Sequence, residues 1–137
     1  MTQATAAAFR WPLRVYWEDT DAGGVVFYAN YLKFFERART EWLRTLGIDQ
    51  SWLLAEHGCM FVVQDTALRY HAPARLDDEL TVVTTLEEQG RARLGLAQQA
   101  LRGSALLCDG RIRIACVTQA SFKPSRIPPG VLDKLKP

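Results

Sequence analysis

Three carboxylates stand close before a pair of glycines near the start of the chain, an arrangement suited to chemistry at a carbonyl group. Glu18, Asp19 and Asp21 lie within four positions and are followed by Gly23-Gly24. Glycine lets a ligand approach the main chain closely. A helix start presents unpaired N–H groups and a partial positive charge, and a helix is predicted to begin near Tyr28. A carboxylate beside such donors is what attack on a carbonyl carbon requires.

The helix that carries these donors is predicted to run from Tyr28 towards Gly47. Its apolar residues recur at a period near 3.6 along one face, at Tyr31, Leu32, Phe35, Ala38, Trp42, Leu43 and Leu46. Gly47 is placed to end the helix as a left-handed cap residue. Because only one face is apolar, the helix must lie against another element.

The other predicted elements are strands and two short helical segments. The strands are Phe9 to Trp17, Met60 to His71, Leu80 to Leu86, Ala92 to Arg102 and Leu106 to Phe122. In the first of them Trp11, Leu13, Val15 and Trp17 share one face. A short helix is predicted from Asp49 to His57 and a last helical turn from Val131 to Lys136, and Asp109-Gly110 predicts a bulge or a turn. Consecutive strands with short turns favour an antiparallel sheet. The fold class is therefore α+β, with a sheet of about five strands curled around one long helix.

Length and composition narrow the function classes. The chain has 137 residues and a net charge of +2, which fits one domain and gives little support to nucleic-acid binding. We expect a flexible tail over residues 1–8 and a single domain over 9–137. No run of about 18 apolar residues predicts a membrane span, and the first residues do not resemble a secretory signal. The three cysteines, without Cys-x-x-Cys spacing, indicate reduced thiols in the cytoplasm and argue against a zinc site.

Three motifs in register resemble one known family. They are Asp19-Thr20-Asp21-Ala22-Gly23-Gly24-Val25-Val26 with Tyr31 and Glu36-Arg37-Ala38-Arg39, then Tyr70-His71-Ala72-Pro73-Ala74-Arg75-Leu76-Asp77-Asp78, and finally Lys123-Pro124. The chain resembles the hot-dog-fold acyl-CoA thioesterases, in the 4-hydroxybenzoyl-CoA thioesterase-like branch, and most of all its Tol-Pal-associated members. The likeness covers nearly all of the chain after the first eight residues. Tyr28 stands where the Tol-Pal-associated enzymes usually have histidine, whereas the hydroxybenzoyl enzymes have tyrosine.

This resemblance implies a fold, an activity and a set of site residues. The hot-dog fold wraps an antiparallel sheet around a helix and pairs into a homodimer or homotetramer with active sites at the dimer interface. The implied reaction is hydrolysis of acyl-CoA to free CoA and a carboxylic acid, without metal or cofactor. Asp21 would be the nucleophile or general base, and the backbone N–H of Tyr28 would polarise the carbonyl. Gly24, Val25 and Tyr31 would contact the substrate.

Other functions remain open at this stage. One is a hot-dog lyase or hydratase, although such enzymes usually pair the aspartate with a histidine, which this loop lacks. Another is a non-catalytic interaction protein of the Tol-Pal envelope machinery or of acyl carrier protein, which would tolerate loss of Asp21. The sequence does not choose between CoA and acyl carrier protein as the carrier, nor does it specify the acyl group. A cysteine nucleophile is disfavoured, because no cysteine stands near a paired histidine motif.

Overall fold

The computed structural model describes residues 8–135 and shows a sheet, one long helix and two short ones. Residues 1–7 of the predicted tail, and Lys136 of the predicted last helical turn, lie outside the described residues. The strands are β1 (Phe9–Arg14), β2 (Cys59–Tyr70), β3 (Glu79–Gln89), β4 (Arg93–Arg102) and β5 (Ala105–Thr118). The helices are α1 (Asn30–Thr45), α2 (Gln50–His57) and α3 (Pro129–Leu135), and a 3₁₀ turn covers Trp17–Asp19.

All five strands belong to one antiparallel sheet with the order β1-β3-β4-β5-β2. The α+β class and the five-stranded antiparallel sheet predicted from the sequence are therefore confirmed. Strand β1 pairs with β3, and between β1 and β2 the chain leaves the sheet to form the 17–29 loop, α1 and α2. That excursion puts the loop and the start of α1 together at one end of the sheet.

Helix α1 buries one face against the sheet. Its buried residues are Asn30, Tyr31, Phe34, Phe35, Ala38, Trp42 and Leu43. The predicted stripe was wrong at Leu32, which is 46% exposed, whereas Phe34 is buried. At about 3.6 residues per turn, positions 31, 34, 35, 38 and 42 share a face and position 32 lies to its side. Gly47 does end the helix, with φ +76.

Two further expectations from the sequence were wrong in detail. Trp17 does not lie on the inner face of β1: it belongs to the 3₁₀ turn and is 81% exposed. Asp109-Gly110 is neither a turn nor a bulge, since both residues pair regularly with β2 and β4. Glycine is required at position 110 by close approach, because a Cβ there would lie 2.5 Å from the main-chain oxygen of Ala67.

Helix α2 forms as the sequence predicts. The Asp49 side chain accepts a hydrogen bond from Ser51 N–H, and Gly58 ends the helix with φ +64. An N-cap aspartate and a left-handed glycine at the C-terminus satisfy main-chain groups that the helix itself leaves unpaired.

Candidate functional site

The loop between Thr20 and Val26 folds back on itself as a small hairpin. Thr20 and Val26 form an isolated antiparallel bridge, Asp21 N–H donates to Val25 O at 2.9 Å, and Gly24 N–H donates to Asp21 O at 3.0 Å. Gly24 has φ +79, a conformation that glycine adopts without the penalty a side chain would bring. The two glycines thus allow a tight reversal that begins at Asp21.

The Asp21 side chain is exposed and held by its own loop. Its Oδ1 accepts a hydrogen bond from Gly23 N–H at 2.8 Å, so one carboxylate oxygen forms an Asx turn. A Cβ at position 23 would lie 3.2 Å from that same oxygen. The turn restricts the orientation of the carboxylate, and the exposed location leaves it open to a ligand.

Asp19, two residues earlier, holds the loop together through hydrogen bonds from the buried side. It is only 5% exposed. Its Oδ1 accepts from Asn30 Nδ2 and its Oδ2 accepts from Tyr16 N–H, both at 2.8 Å. Its main-chain oxygen also accepts from Phe27 N–H at 2.9 Å. One buried carboxylate therefore ties the entrance of the loop to the start of α1.

Removal of this carboxylate is expected to loosen the loop. Asp19→Ala would leave the Tyr16 N–H and the Asn30 amide without their acceptor, at a cost of about 2–3 kcal/mol in the free energy of unfolding. The measurement is urea denaturation, with Glu18→Ala as the control because Glu18 is an exposed neighbour. Equal unfolding midpoints for the two variants would show that the Asp19 contacts do not contribute to stability.

The start of α1 offers a main-chain donor. Phe27 O accepts from Asn30 N–H at 2.8 Å, so Tyr28 and Ala29 form a turn ahead of the helix. Within residues 8–135, Tyr28 N–H donates to no main-chain or side-chain acceptor. The helix begins at Asn30, two residues later than predicted from the sequence, and it leaves the Tyr28 N–H free to bind an oxyanion.

Asp21 and Tyr28 line two different cavities of the single chain. A groove of about 480 Å³ holds Asp21 and Gly24 together with Trp17, Thr20, Ala22 and Leu76. A cleft of about 310 Å³ holds Tyr28 and Tyr31 together with Val26, Tyr70, His71, Ala72 and Pro73. Val25 lines neither of them and instead bridges to Arg75. The five predicted site residues thus fall on one loop and the adjoining helix start, but four of them are divided between two cavities and Val25 lines neither.

The cleft beside α1 is aromatic. The ring centroid of Tyr31 lies 5.7 Å from those of both Phe34 and Tyr70, and Tyr28 stands edge-on to Tyr70 at 6.2 Å. Tyr31 is buried, and burial raises the pKa of its phenol to about 12. Its hydroxyl therefore stays protonated at neutral pH. The cleft presents ring faces and edges, which suit an apolar or aromatic group.

The segment beneath the hairpin is itself well anchored. Val26 N–H donates to Ala74 O at 2.8 Å. The Asp78 carboxylate accepts from Arg75 N–H at 2.8 Å and from the Arg102 guanidinium at 2.9 Å. These two contacts hold the pKa of Asp78 below its usual range. The hairpin is thus bound to a segment that an ion pair ties to β4.

Several residues at the site were not predicted from the sequence. Asn30 and Tyr70 contact the loop from eleven and forty-two positions away, and no periodicity or local motif signals such partners. His71 Nε2 lies 2.6 Å from Asp109 Oδ1, a contact made by the pairing of β2 with β5. Burial raises the pKa of the Cys108 thiol to about 12, which keeps this thiol protonated at neutral pH.

The sheet wrapped around α1, with an acidic glycine-rich loop at the helix start, defines the class of protein. The chain belongs to the thioesterase-like superfamily, whose family model matches residues 15–135. The crystal structure of a probable thioesterase from Bartonella henselae superimposes with a TM-score of 0.85 at 35% identity, covering 89% of this chain and 100% of that one. The hot-dog fold predicted from the sequence is confirmed.

Within this superfamily the chain is similar to the YbgC proteins. It is 47% identical to the acyl-CoA thioesterase YbgC of Haemophilus influenzae over 88% of each chain. It is 42% identical to the acyl-CoA thioester hydrolase YbgC of Escherichia coli O6:H1, over 93% of this chain and 96% of the relative. The family resemblance drawn from the three sequence motifs is confirmed.

Proposed function

We propose that this protein hydrolyses acyl-CoA thioesters, with Asp21 as the reacting carboxylate and the Tyr28 N–H as the oxyanion donor. Acyl-CoA thioester hydrolase is the enzyme class of its YbgC relatives, which align over most of the chain. The observation that carries the assignment of residues is the loop itself. It presents an exposed carboxylate seven residues before Tyr28, whose N–H has no acceptor among residues 8–135. Gly24, Val25 and Tyr31 contact the substrate in this proposal.

The chemistry follows one of two balanced routes. As general base, Asp21 takes a proton from water, and the hydroxyl adds to the thioester carbonyl. The oxyanion so formed accepts a hydrogen bond from Tyr28 N–H, and its collapse expels the CoA thiolate, which is then protonated. As nucleophile, Asp21 displaces the thiolate to give a mixed anhydride, which water splits to two carboxylates. A single turnover in isotopically labelled water distinguishes them, because label in the Asp21 carboxylate identifies the nucleophilic route.

We propose further that a second copy of the chain completes the site. Asp21 and Tyr28 line separate open cavities, and Trp17 is 81% and Tyr28 64% exposed. Strand β2 stands at one end of the strand order. Leu32 and Val63 are 46% and 47% exposed, and both line a groove of about 260 Å³ between α1 and β2. An open edge beside exposed apolar residues favours pairing with another chain, as a homodimer or homotetramer.

The first test of the proposed function is thiol release from a panel of thioesters. The panel contains acetyl, short and long aliphatic, benzoyl and 4-hydroxybenzoyl CoA, each offered to the wild-type protein. We expect turnover of at least one member, and the aromatic cleft lined by Tyr28, Tyr31 and Tyr70 favours the aryl thioesters. Thiol release no faster than the uncatalysed rate from every member, with the same acyl groups on acyl carrier protein also unreactive, would contradict the proposal.

The cellular setting is part of the same proposal. Three free, buried cysteines suit a reducing cytoplasm, and none of the helices in the described residues is long and apolar enough to cross a bilayer. Association with the Tol-Pal machinery is supported by the sequence resemblance alone. Co-purification of Tol-Pal components that survives Asp21→Ala, together with no hydrolysis of any thioester by the wild-type protein, would favour the interaction role over the enzymatic one.

A further inference from the structure

One side chain from the sheet reaches the main chain at the proposed oxyanion donor. The hydroxyl of Tyr70, the last residue of β2, donates a hydrogen bond to Tyr28 O at 2.9 Å. Tyr70 lies opposite Cys108 of β5 in the sheet register, so its main chain is held by the sheet. The Tyr70 ring packs at 6.2 Å from Tyr28 and at 5.7 Å from Tyr31.

The Tyr28 carbonyl is available because α1 begins with a tight turn. In a regular α-helix the Leu32 N–H would donate to Tyr28 O, four residues back. Here Leu32 N–H donates instead to Ala29 O at 3.1 Å, and Asn30 N–H donates to Phe27 O at 2.8 Å. This 3₁₀-type start leaves Tyr28 O outside the helical ladder. Tyr70 satisfies it.

We infer that Tyr70 is a positioning residue that holds the Tyr28 N–H in the orientation needed for an oxyanion. The peptide group before Tyr28 is fixed by the Phe27–Asn30 bond, and the peptide group after it is fixed by Tyr70. The Tyr28 N–H belongs to the first of these groups, and only the Tyr28 Cα separates it from the second, which Tyr70 holds. Without the Tyr70 hydroxyl, Leu32 N–H can turn to Tyr28 O, and both peptide groups then rotate. This inference rests on the proposed role of the Tyr28 N–H.

The chemistry of Tyr70 suits a permanent donor. Burial against the cleft raises the pKa of its phenol, with further contributions from Cys108 and Tyr28. Even at its ordinary pKa of about 10 a tyrosine hydroxyl is protonated at neutral pH, so Tyr70 can donate to Tyr28 O throughout that range. A hydrogen-bond donor stabilises a developing charge best when it is already in place and need not reorganise during the reaction. The Tyr70 hydroxyl, carried by a strand of the sheet, restrains the Tyr28 main chain in this way.

The kinetic test is Tyr70→Phe, which keeps the ring contacts and removes only the hydroxyl. We expect kcat to fall about 3- to 10-fold with KM nearly unchanged, the size expected for one neutral hydrogen bond that acts through orientation. Tyr16→Phe is the matched control, because it removes the hydroxyl of another exposed tyrosine, and it should leave kcat unchanged. An unchanged kcat in Tyr70→Phe, or a rise in KM alone, would overturn the inference.

A second measurement separates failure of this inference from failure of the proposed function. In amide NMR spectra of the free protein, Tyr70→Phe should shift the Tyr28 and Leu32 signals and speed exchange of the Leu32 N–H, whereas Tyr16→Phe should not. Unmoved Tyr28 and Leu32 signals overturn the positioning role, whatever the activity. If those signals move but the wild-type protein releases thiol from no thioester of the panel, the proposed function fails and the catalytic part of this inference falls with it.

Discussion

Replacing Asp21 with asparagine is expected to lower kcat for thioester hydrolysis by about 10²- to 10⁴-fold, the range in which removal of a general base falls. Asparagine keeps a side-chain oxygen that can accept the Gly23 N–H bond now made by Oδ1, so the hairpin should retain its shape. What the variant loses is the negative charge and the basicity of the carboxylate. Each of the two proposed routes requires the negative charge or the basicity that the variant lacks.

Glu18→Gln is the control for this experiment. It makes the same chemical change at an exposed carboxylate three residues earlier in the chain, and we expect wild-type kinetics. Both variants should unfold at the same urea concentration as the wild-type protein, because an exposed carboxylate contributes little to the free energy of unfolding. Equal kcat for Asp21→Asn and Glu18→Gln would remove Asp21 from the mechanism. If the Asp21→Asn variant is inactive only because it does not fold, the role of Asp21 is structural.

The largest effect on stability is expected at Gln98, which is fully buried beneath α1. Its Nε2 donates to Phe35 O at 3.0 Å and to Thr84 Oγ1 at 2.9 Å, and its Oε1 accepts from Arg39 at 2.9 Å. Arg39 is itself partly buried, and this burial lowers the pKa of its guanidinium. Gln98→Ala would leave a buried hydroxyl and a guanidinium without this partner around a new cavity, and Phe35 O would keep only its bond within the helix. We expect a loss of about 3–5 kcal/mol in the free energy of unfolding.

Gln99→Ala is the matched control, because successive residues of a strand face opposite sides of the sheet. Gln99 is exposed on the outer face, and its truncation should change stability by less than about 0.5 kcal/mol. Urea denaturation of the two variants measures the difference directly. A Gln98→Ala variant as stable as Gln99→Ala would show that α1 is held by its apolar face alone.

The sequence by itself determined the elements of this fold. The 3.6-residue period from Tyr31 to Trp42 and the alternation in the β segments depend on local spacing, which a single chain displays directly. Gly47 and Gly58 end α1 and α2 as predicted, because a left-handed cap is a property of the residue itself. Leu32 and Trp17 were assigned to the wrong surfaces because periodicity predicts a face only to within about one residue, and it does not predict where a strand gives way to a turn.

At the candidate site, too, some features follow from the sequence and others only from the tertiary structure. The acidic residues, the glycine pair and the nearby helix start are adjacent in sequence, so the residue pattern placed a carboxylate beside helix N–H groups, and the family resemblance selected Asp21 and Tyr28 among them. The roles of Asp19, Asn30 and Tyr70 depend on contacts between distant segments. The pairing of β2 with β5 and the reach of α1 across the sheet bring Tyr70 to Tyr28. Only the tertiary structure decided these partners, because a side-chain hydrogen bond between distant positions produces no periodic pattern in the sequence.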